Sequence, residues 1–161
     1  MAKHEHHYVA SLIWTGASAG PTRTYKSYSR AWRMEFDGKP PLDGSADPTF
    51  GGDPKLHNPE ELLLAALATC HMLSYFALCS LKGIAVTSYR DRPEGTMARG
   101  ADGRTRFTSV MLHPQVTIAD AAKLELARSL HHSAHEECFI ANSVNFLVEN
   151  AATVTADSAT A

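Results

Sequence analysis

Two cysteines of this sequence stand where a thiol could do chemistry. Cys70 lies inside a long apolar run that begins at Asn58, and Cys138 closes a second helical run that starts at His131. A thiol reacts as its thiolate, so the surrounding groups decide whether it is an inert core residue or a nucleophile. If the fold brings the two sulfurs together, they form a reversible dithiol/disulfide pair.

The third cysteine and a nearby glutamate are constrained by helix geometry. Cys79 follows Cys70 by nine positions and Glu60 precedes it by ten. Because helical residues advance by about 100° each, Cys79 points away from Cys70 and is interpreted as a core residue. Glu60 lies about 15 Å from Cys70 along the axis. A bridging residue or a partner copy is therefore needed if both serve one site.

Composition and charge favour a globular domain without a nucleic-acid or membrane partner. The 161 residues are 44% hydrophobic and 20% charged, with a net charge of −2, which fits one domain over residues 1–161 with disordered ends at 1–6 and 155–161. The sequence contains no basic block of the kind that would predict a phosphate-rich partner. The first residues lack the apolar stretch of a signal peptide, and three cysteines without an export signal favour a reducing cytoplasm.

Two helices stand out among the predicted elements. The first begins at Asn58 as N-cap, with Pro59 in the first turn and Glu61 as a capping-box carboxylate, and it ends at Gly83. It is apolar nearly all round, which predicts burial on most sides by sheet, by a partner subunit or by both. We interpret it as a buried helix rather than a membrane span, since polar residues interrupt it. The second helix is predicted from Ala121 to about Cys138.

Strands are predicted before, between and after these helices, at residues 7–14, 24–36, 84–90, 97–108 as a hairpin, 110–118, and 144–148 with 151–154. Residues 37–57 form a long loop rich in glycine and proline, and loops of this length without regular structure tend to be functional. The order contains no alternation of strands with helices. It therefore predicts an α+β fold with an antiparallel sheet.

Several motifs resemble the OsmC/Ohr family of osmotically inducible and organic hydroperoxide resistance proteins. They are Asn58-Pro-Glu-Glu, then Ala65-Ala-Leu-Ala-Thr-Cys70, and a second cysteine about 68 residues later. The resemblance covers the chain from about Tyr8 to Val148. Stretches typical of one OsmC-like subgroup are Tyr28-Ser-Arg30, Asp37 to Pro41, and His135 to Val144.

The resemblance implies a fold, an activity and a set of site residues. The fold is one of antiparallel curved sheets around a long central helix, in an intertwined homodimer with active sites at the interface. The activity is that of a thiol-dependent peroxidase that prefers organic hydroperoxides and uses no cofactor or metal. By motif, Cys70 matches the peroxide-attacking cysteine, Cys138 the resolving cysteine, and Glu60 the partner of a catalytic arginine. That arginine is Arg30 by the Tyr-Ser-Arg match, with Arg23 as the alternative.

The chemistry of these residues is consistent with that assignment. Cys70 lies mid-helix, where the helix dipole has faded, and burial disfavours a thiolate, so a cation is needed. Arg30 would supply it, held by Glu60 through a bidentate pair. The thiolate would attack the peroxide, and Cys138 would capture the sulfenic acid as a disulfide. The resemblance suggests a small dithiol or a lipoylated protein as the reductant.

Two other readings use the same residues. His131, His135 and Cys138 fall at i, i+4 and i+7, which is one face of a helix and a plausible zinc or copper site. The chain could instead be a non-catalytic dimer that binds a hydrophobic ligand while its cysteines stay idle.

Overall fold

The computed structural model describes residues 5–157, so the predicted disordered ends lie partly outside the described residues. Within that range the helices are α1 (Pro59–Leu81) and α2 (Leu124–Glu136). The strands are β1 (Ser11–Ile13), β2 (Trp32–Glu35), β3 (Leu42–Gly44), β4 (Val86–Arg90), β5 (Glu94–Arg99), β6 (Thr105–Leu112), β7 (Gln115–Ile118), β8 (Leu147–Asn150) and β9 (Thr153–Ala156). This is the predicted α+β class.

The chain divides into two compact units, residues 1–62 and 63–161. The first unit carries an antiparallel sheet in the order β1-β2-β3. The segment 37–57, predicted to lack regular structure, contains β3 and a short 3₁₀ turn at Pro48–Phe50. Strand β3 pairs with β2, and across that pair Arg33 Nε donates to the Asp43 carboxylate at 2.7 Å. That cross-strand pair was not evident from the composition of the loop.

The second unit holds two mixed three-stranded sheets, with the orders β4-β7-β9 and β5-β6-β8. The pairs β4–β7 and β5–β6 are antiparallel, whereas β7–β9 and β6–β8 are parallel. The predicted single strand 110–118 is two strands in different sheets, because Pro114 has no N–H to donate to a ladder. The tail predicted to fray from Thr155 is held as well, since Thr155 and Ala156 pair with β7.

The ends of α1 follow the predicted signals. Asn58 Oδ1 accepts the Glu61 backbone N–H at 2.8 Å, and the Glu61 carboxylate accepts the Asn58 N–H at 3.3 Å, which forms a reciprocal capping box. At the other end Gly83 takes a left-handed φ of 64°. The N–H of Ile84 then reaches back to the Cys79 carbonyl at 2.8 Å, which closes a Schellman motif.

One face of α1 is buried within this chain. The buried residues recur every four positions, at Leu67, His71, Tyr75 and Cys79. The opposite stripe is exposed, at Ala65, Thr69, Leu73 and Ala77. Burial on most sides is therefore not reached by the residues that the structure describes. Helix α1 is long and apolar enough to cross a membrane by length and composition alone.

The buried face of α1 packs on two cores of the second unit. The larger joins α1 to α2 and to the β4-β7-β9 sheet, through Tyr75, Cys79, Ile84, Val116, Ile118, Ala127, Leu130, Ala134 and Val154. The smaller joins the start of α1 to the β5-β6-β8 sheet, through Leu67, Val110, Leu112 and Val148. The helices thus bring the segment after α2 against the middle of α1.

Candidate active site

The turn after α2 places Cys138 beside Cys70. Helix α2 ends at Glu136, two residues earlier than the sequence pattern predicts. The chain then turns through Cys138, whose carbonyl accepts the Asn142 N–H at 2.9 Å, into a 3₁₀ turn at Ala141–Ser143. All three cysteines are free thiols. The Cys138 side chain lies within hydrogen-bond reach of the Cys70 side chain, and both are in the reduced state.

Two consecutive backbone N–H groups face the two sulfurs. The Ile140 N–H donates to Cys70 Sγ at 3.5 Å, and the Ala141 N–H donates to Cys138 Sγ at 3.4 Å. Hydrogen bonds to a sulfur favour its negatively charged form. The turn therefore offers fixed donors at the place where a thiolate would develop.

The environments of the two thiols differ. Cys138 is 1% exposed, whereas Cys70 is half-buried. Burial, followed by the hydrogen bond with the Cys70 side chain, raises the pKa of the Cys138 thiol to about 11. At neutral pH Cys138 is thus a buried thiol that keeps its proton, while Cys70 is the less buried of the two residues.

Cys79 takes no part in this pair. It is 1% exposed in the larger core, and burial raises the pKa of its thiol. Its side chain interacts with the Tyr75 hydroxyl, and Cys79 lies about two and a half helical turns beyond Cys70. The prediction that Cys79 is a core residue is confirmed.

Arg30 is held by the aromatic segment that precedes β2. Its guanidinium donates to the backbone carbonyls of Tyr25 at 2.6 Å and Tyr28 at 3.1 Å. It also lies over both tyrosine rings, 4.8 Å and 4.6 Å from their centroids, at a distance suited to cation–π attraction. Gly51 makes room for it, since a Cβ there would lie 3.1 Å from the guanidinium carbon.

Glu60 and Arg30 line one cavity of the first unit, of about 230 Å³, with Trp32, Ser45, Asp47 and Phe50 among its other walls. One Glu60 carboxylate oxygen is buried there without a hydrogen-bond partner. Among the described residues no ion pair joins this carboxylate to Arg30. Arg23, the alternative arginine, is exposed and does not line the cavity.

The histidines near the cysteines do not have the arrangement that the metal-site interpretation predicts. His131 points into the core, where its Nδ1 lies 3.0 Å from His71 Nε2. Since α2 ends before Cys138, the predicted row of His131, His135 and Cys138 is not one helical face. The described residues contain no group of three metal-ligating side chains.

Sequence reasoning missed the backbone donors at 140 and 141 and the His71–His131 pair. Backbone donors have no side-chain signature, so no residue pattern could have indicated them. The histidine pair did leave a signal, since His71, Tyr75 and Cys79 recur every four residues with Leu67. Only the packing of α2 shows which of the apolar faces of α1 is buried.

Comparisons with known proteins show the family and the fold of the chain. A family model described as OsmC-like protein matches residues 52–150. The chain is similar to the solved structure of an OsmC-like protein of unknown function from Vibrio cholerae, with 34% identity over 92% of this chain and 100% of the other, and a TM-score of 0.84. No curated protein matches it.

More distant solved structures share the fold. An organic hydroperoxide resistance protein from Legionella pneumophila is 19% identical, with 96% of this chain and 100% of the other covered and a TM-score of 0.64. The organic hydroperoxide resistance protein OhrB of Bacillus subtilis is 18% identical, with 91% and 98% covered and a TM-score of 0.60.

Proposed function

This chain belongs to the OsmC-like family, and on that basis we propose that it is a thiol-dependent peroxidase that reduces organic hydroperoxides to alcohols. The observation that carries the proposal is the contact between the Cys70 and Cys138 side chains beneath two consecutive backbone N–H groups. The hydroperoxide resistance proteins of the same fold support the substrate class.

In the first step the Cys70 thiolate attacks the distal oxygen of the hydroperoxide. A sulfur–oxygen bond forms as the oxygen–oxygen bond breaks, and the alkoxide takes a proton and leaves as alcohol. Cys70 is oxidised to the sulfenic acid and the peroxide is reduced. The half-buried position of Cys70 suits it to this role better than that of Cys138, which is 1% exposed.

In the second step Cys138 resolves the sulfenic acid. Its sulfur bonds to Cys70 Sγ, and the hydroxyl leaves as water with the proton that Cys138 gives up. Burial keeps Cys138 protonated beside the reduced Cys70, so its sulfur must give up the proton as it attacks, and the departing hydroxyl takes that proton. A dithiol, either a small molecule or a lipoylated protein, then reduces the disulfide by thiol exchange.

The negative charge that develops on Cys70 needs stabilisation, and two sources are assigned to it. The Ile140 N–H is a fixed donor that already contacts the Cys70 sulfur. Arg30 is assigned as the cation, and Glu60 as the residue that holds it. Pairing with Arg30 would satisfy the buried Glu60 oxygen that has no partner in the described residues.

A homodimer is part of the proposal. The exposed stripe of α1 is made of small and apolar residues, and Leu73 on it is 58% exposed. A helix of this hydropathy needs cover on that side, and a second copy of the chain supplies it. The site of action is the cytoplasm, where thiols stay reduced.

The deciding experiment is a thiol titration before and after one equivalent of cumene hydroperoxide. The wild-type chain should lose two thiols and gain a Cys70–Cys138 disulfide, which peptide mapping detects. The Cys79→Ala variant should also lose two thiols, whereas Cys70→Ser should lose none. An unchanged thiol count in the wild-type chain would contradict the proposed activity and would favour the passive ligand-binding reading.

A further inference from the structure

A pair of buried histidines links the two helices that lead to the cysteines. His71 Nε2 and His131 Nδ1 are 3.0 Å apart, and the residues are 1% and 3% exposed. The His131 ring also stacks on the Tyr75 ring, with centroids 3.9 Å apart and planes 11° from parallel. The imidazoles are thus fixed in position and in orientation.

A second hydrogen bond repeats this link one helical turn away. The Tyr75 hydroxyl donates to the Ala127 carbonyl at 3.1 Å. Tyr75 follows His71 by four residues on α1, while Ala127 precedes His131 by four on α2. The two bonds are therefore rungs between antiparallel helices, and together they fix how far one helix can slide along the other.

The cysteines lie directly beyond the histidine rung. Cys70 precedes His71, and Cys138 comes seven residues after His131, past the end of α2. We propose that His71 and His131 are positioning residues, whose hydrogen bond fixes the register of α1 against α2 and so holds Cys138 within bonding reach of Cys70. The assignment rests on the proposed function, since it concerns the disulfide of that site.

Burying this histidine pair costs folding free energy, which supports a specific role for it. Each ring leaves one nitrogen, His71 Nδ1 and His131 Nε2, buried without a partner among the described residues. Two leucines would fill the space without burying unpaired polar atoms. Apolar contacts, however, are not directional and tolerate sliding, whereas a hydrogen bond between two rings fixes distance and angle.

The two other readings of the pair are weaker. The unpartnered nitrogens point away from the shared bond, and the described residues hold no group of three ligands for a metal. A relay of protons to the sulfurs is not needed, because Cys138 brings its own proton to the departing hydroxyl. The two hydrogen bonds lie one helical turn apart, and both act on the position of α2 along α1.

The test measures disulfide formation without peroxide. In a glutathione buffer the two thiols of one chain and one glutathione disulfide exchange to one protein disulfide and two reduced glutathiones. The equilibrium constant reports how well the fold presents one sulfur to the other. Variants are His131→Leu, which removes the rung, and His131→Asn, whose amide reaches the position of Nδ1. Val154→Ala, a truncation in the same core, is the control for lost stability.

We expect His131→Leu to lower the equilibrium constant roughly tenfold, His131→Asn to recover most of that loss, and Val154→Ala to stay within about threefold of wild type, with folding verified by circular dichroism.

Equilibrium constants of His131→Leu and wild type that lie within twofold of each other would overturn the proposal. So would an equal fall in Val154→Ala, or a wild-type chain without a Cys70–Cys138 disulfide. If His131→Leu does not fold, the equilibrium constants of His131→Asn and Val154→Ala are compared instead. A constant for His131→Asn that is equal to or lower than that of Val154→Ala overturns the proposal. A chain that shows the expected pattern but leaves peroxide intact contradicts only the peroxidase assignment.

Discussion

At the scale of single residues, the two sulfurs of the site are both cysteine thiols, but they differ in burial and in hydrogen bonding. Cys138 is buried and its pKa is raised to about 11, while Cys70 is half-buried and contacts the Ile140 N–H. The sequence alone assigns the roles of the two only through a family resemblance. The structure adds a physical reason, which is that Cys70 is the less buried of the two residues.

The Cys138→Ser variant should stop the reaction after its first step. One equivalent of hydroperoxide should leave a sulfenic acid on Cys70, since no neighbouring thiol can capture it. Dimedone should trap one adduct per chain, which mass spectrometry locates. Wild-type chain treated alike should show little adduct, and an adduct on Cys79 in place of Cys70 would contradict the assigned roles.

Arg30→Lys should lower kcat/KM for cumene hydroperoxide on the order of a hundredfold, because a lysine cannot reproduce the planar, multiple-donor contacts of the guanidinium. Arg33→Lys is the matched control, since Arg33 lies on β2 and forms an ion pair with the exposed Asp43 on β3. Steady-state peroxide consumption measures both. Equal rates for the two variants would move the assignment away from Arg30.

At the scale of elements, the parts that could be predicted are those with local causes. Helix α1 begins and ends where the sequence predicts, because the capping box at Asn58 and the left-handed Gly83 need only neighbouring residues. Strand β3 and the parallel partners β8 and β9 were missed or misassigned, because pairing with distant strands is not encoded in a local pattern. The Arg30 and Glu60 assignments came from motif matching alone.

The link between α1 and α2 should be acid-sensitive. Burial lowers the pKa of both His71 and His131 from 6.5 to about 4, and His135 adds repulsion at His71. The unfolded chain therefore binds more protons between pH 6.5 and about 4, so stability falls as the pH falls through that window, by on the order of 3 kcal/mol for the pair.

Urea unfolding at pH 7, 5.5 and 4.5 measures this slope. The double variant His71→Leu/His131→Leu keeps the packing apolar and should flatten the part of the curve between pH 6.5 and 4. A slope equal to that of the wild-type chain would show that other groups cause the acid sensitivity.

At the scale of the whole molecule, the exposed stripe of α1 is the feature that a single chain leaves unexplained. Leu73→Glu places a charge in its middle and should convert a dimer to a monomer, because a charge buried without a partner is costly at an interface. Sedimentation equilibrium gives the mass. Ser129→Glu, on the exposed side of α2, should leave the mass unchanged, and a dimeric Leu73→Glu variant would place the interface elsewhere.

The parallel strands have a consequence for biosynthesis. Strands β8 and β9 complete both sheets of the second unit, and they follow Cys138 in the chain. On the ribosome, both cysteines of the pair emerge before the segment that finishes their surroundings. The surroundings of the two sulfurs are therefore complete only when β8 has paired with β6 and β9 with β7, so a newly made chain acquires its whole site late in folding.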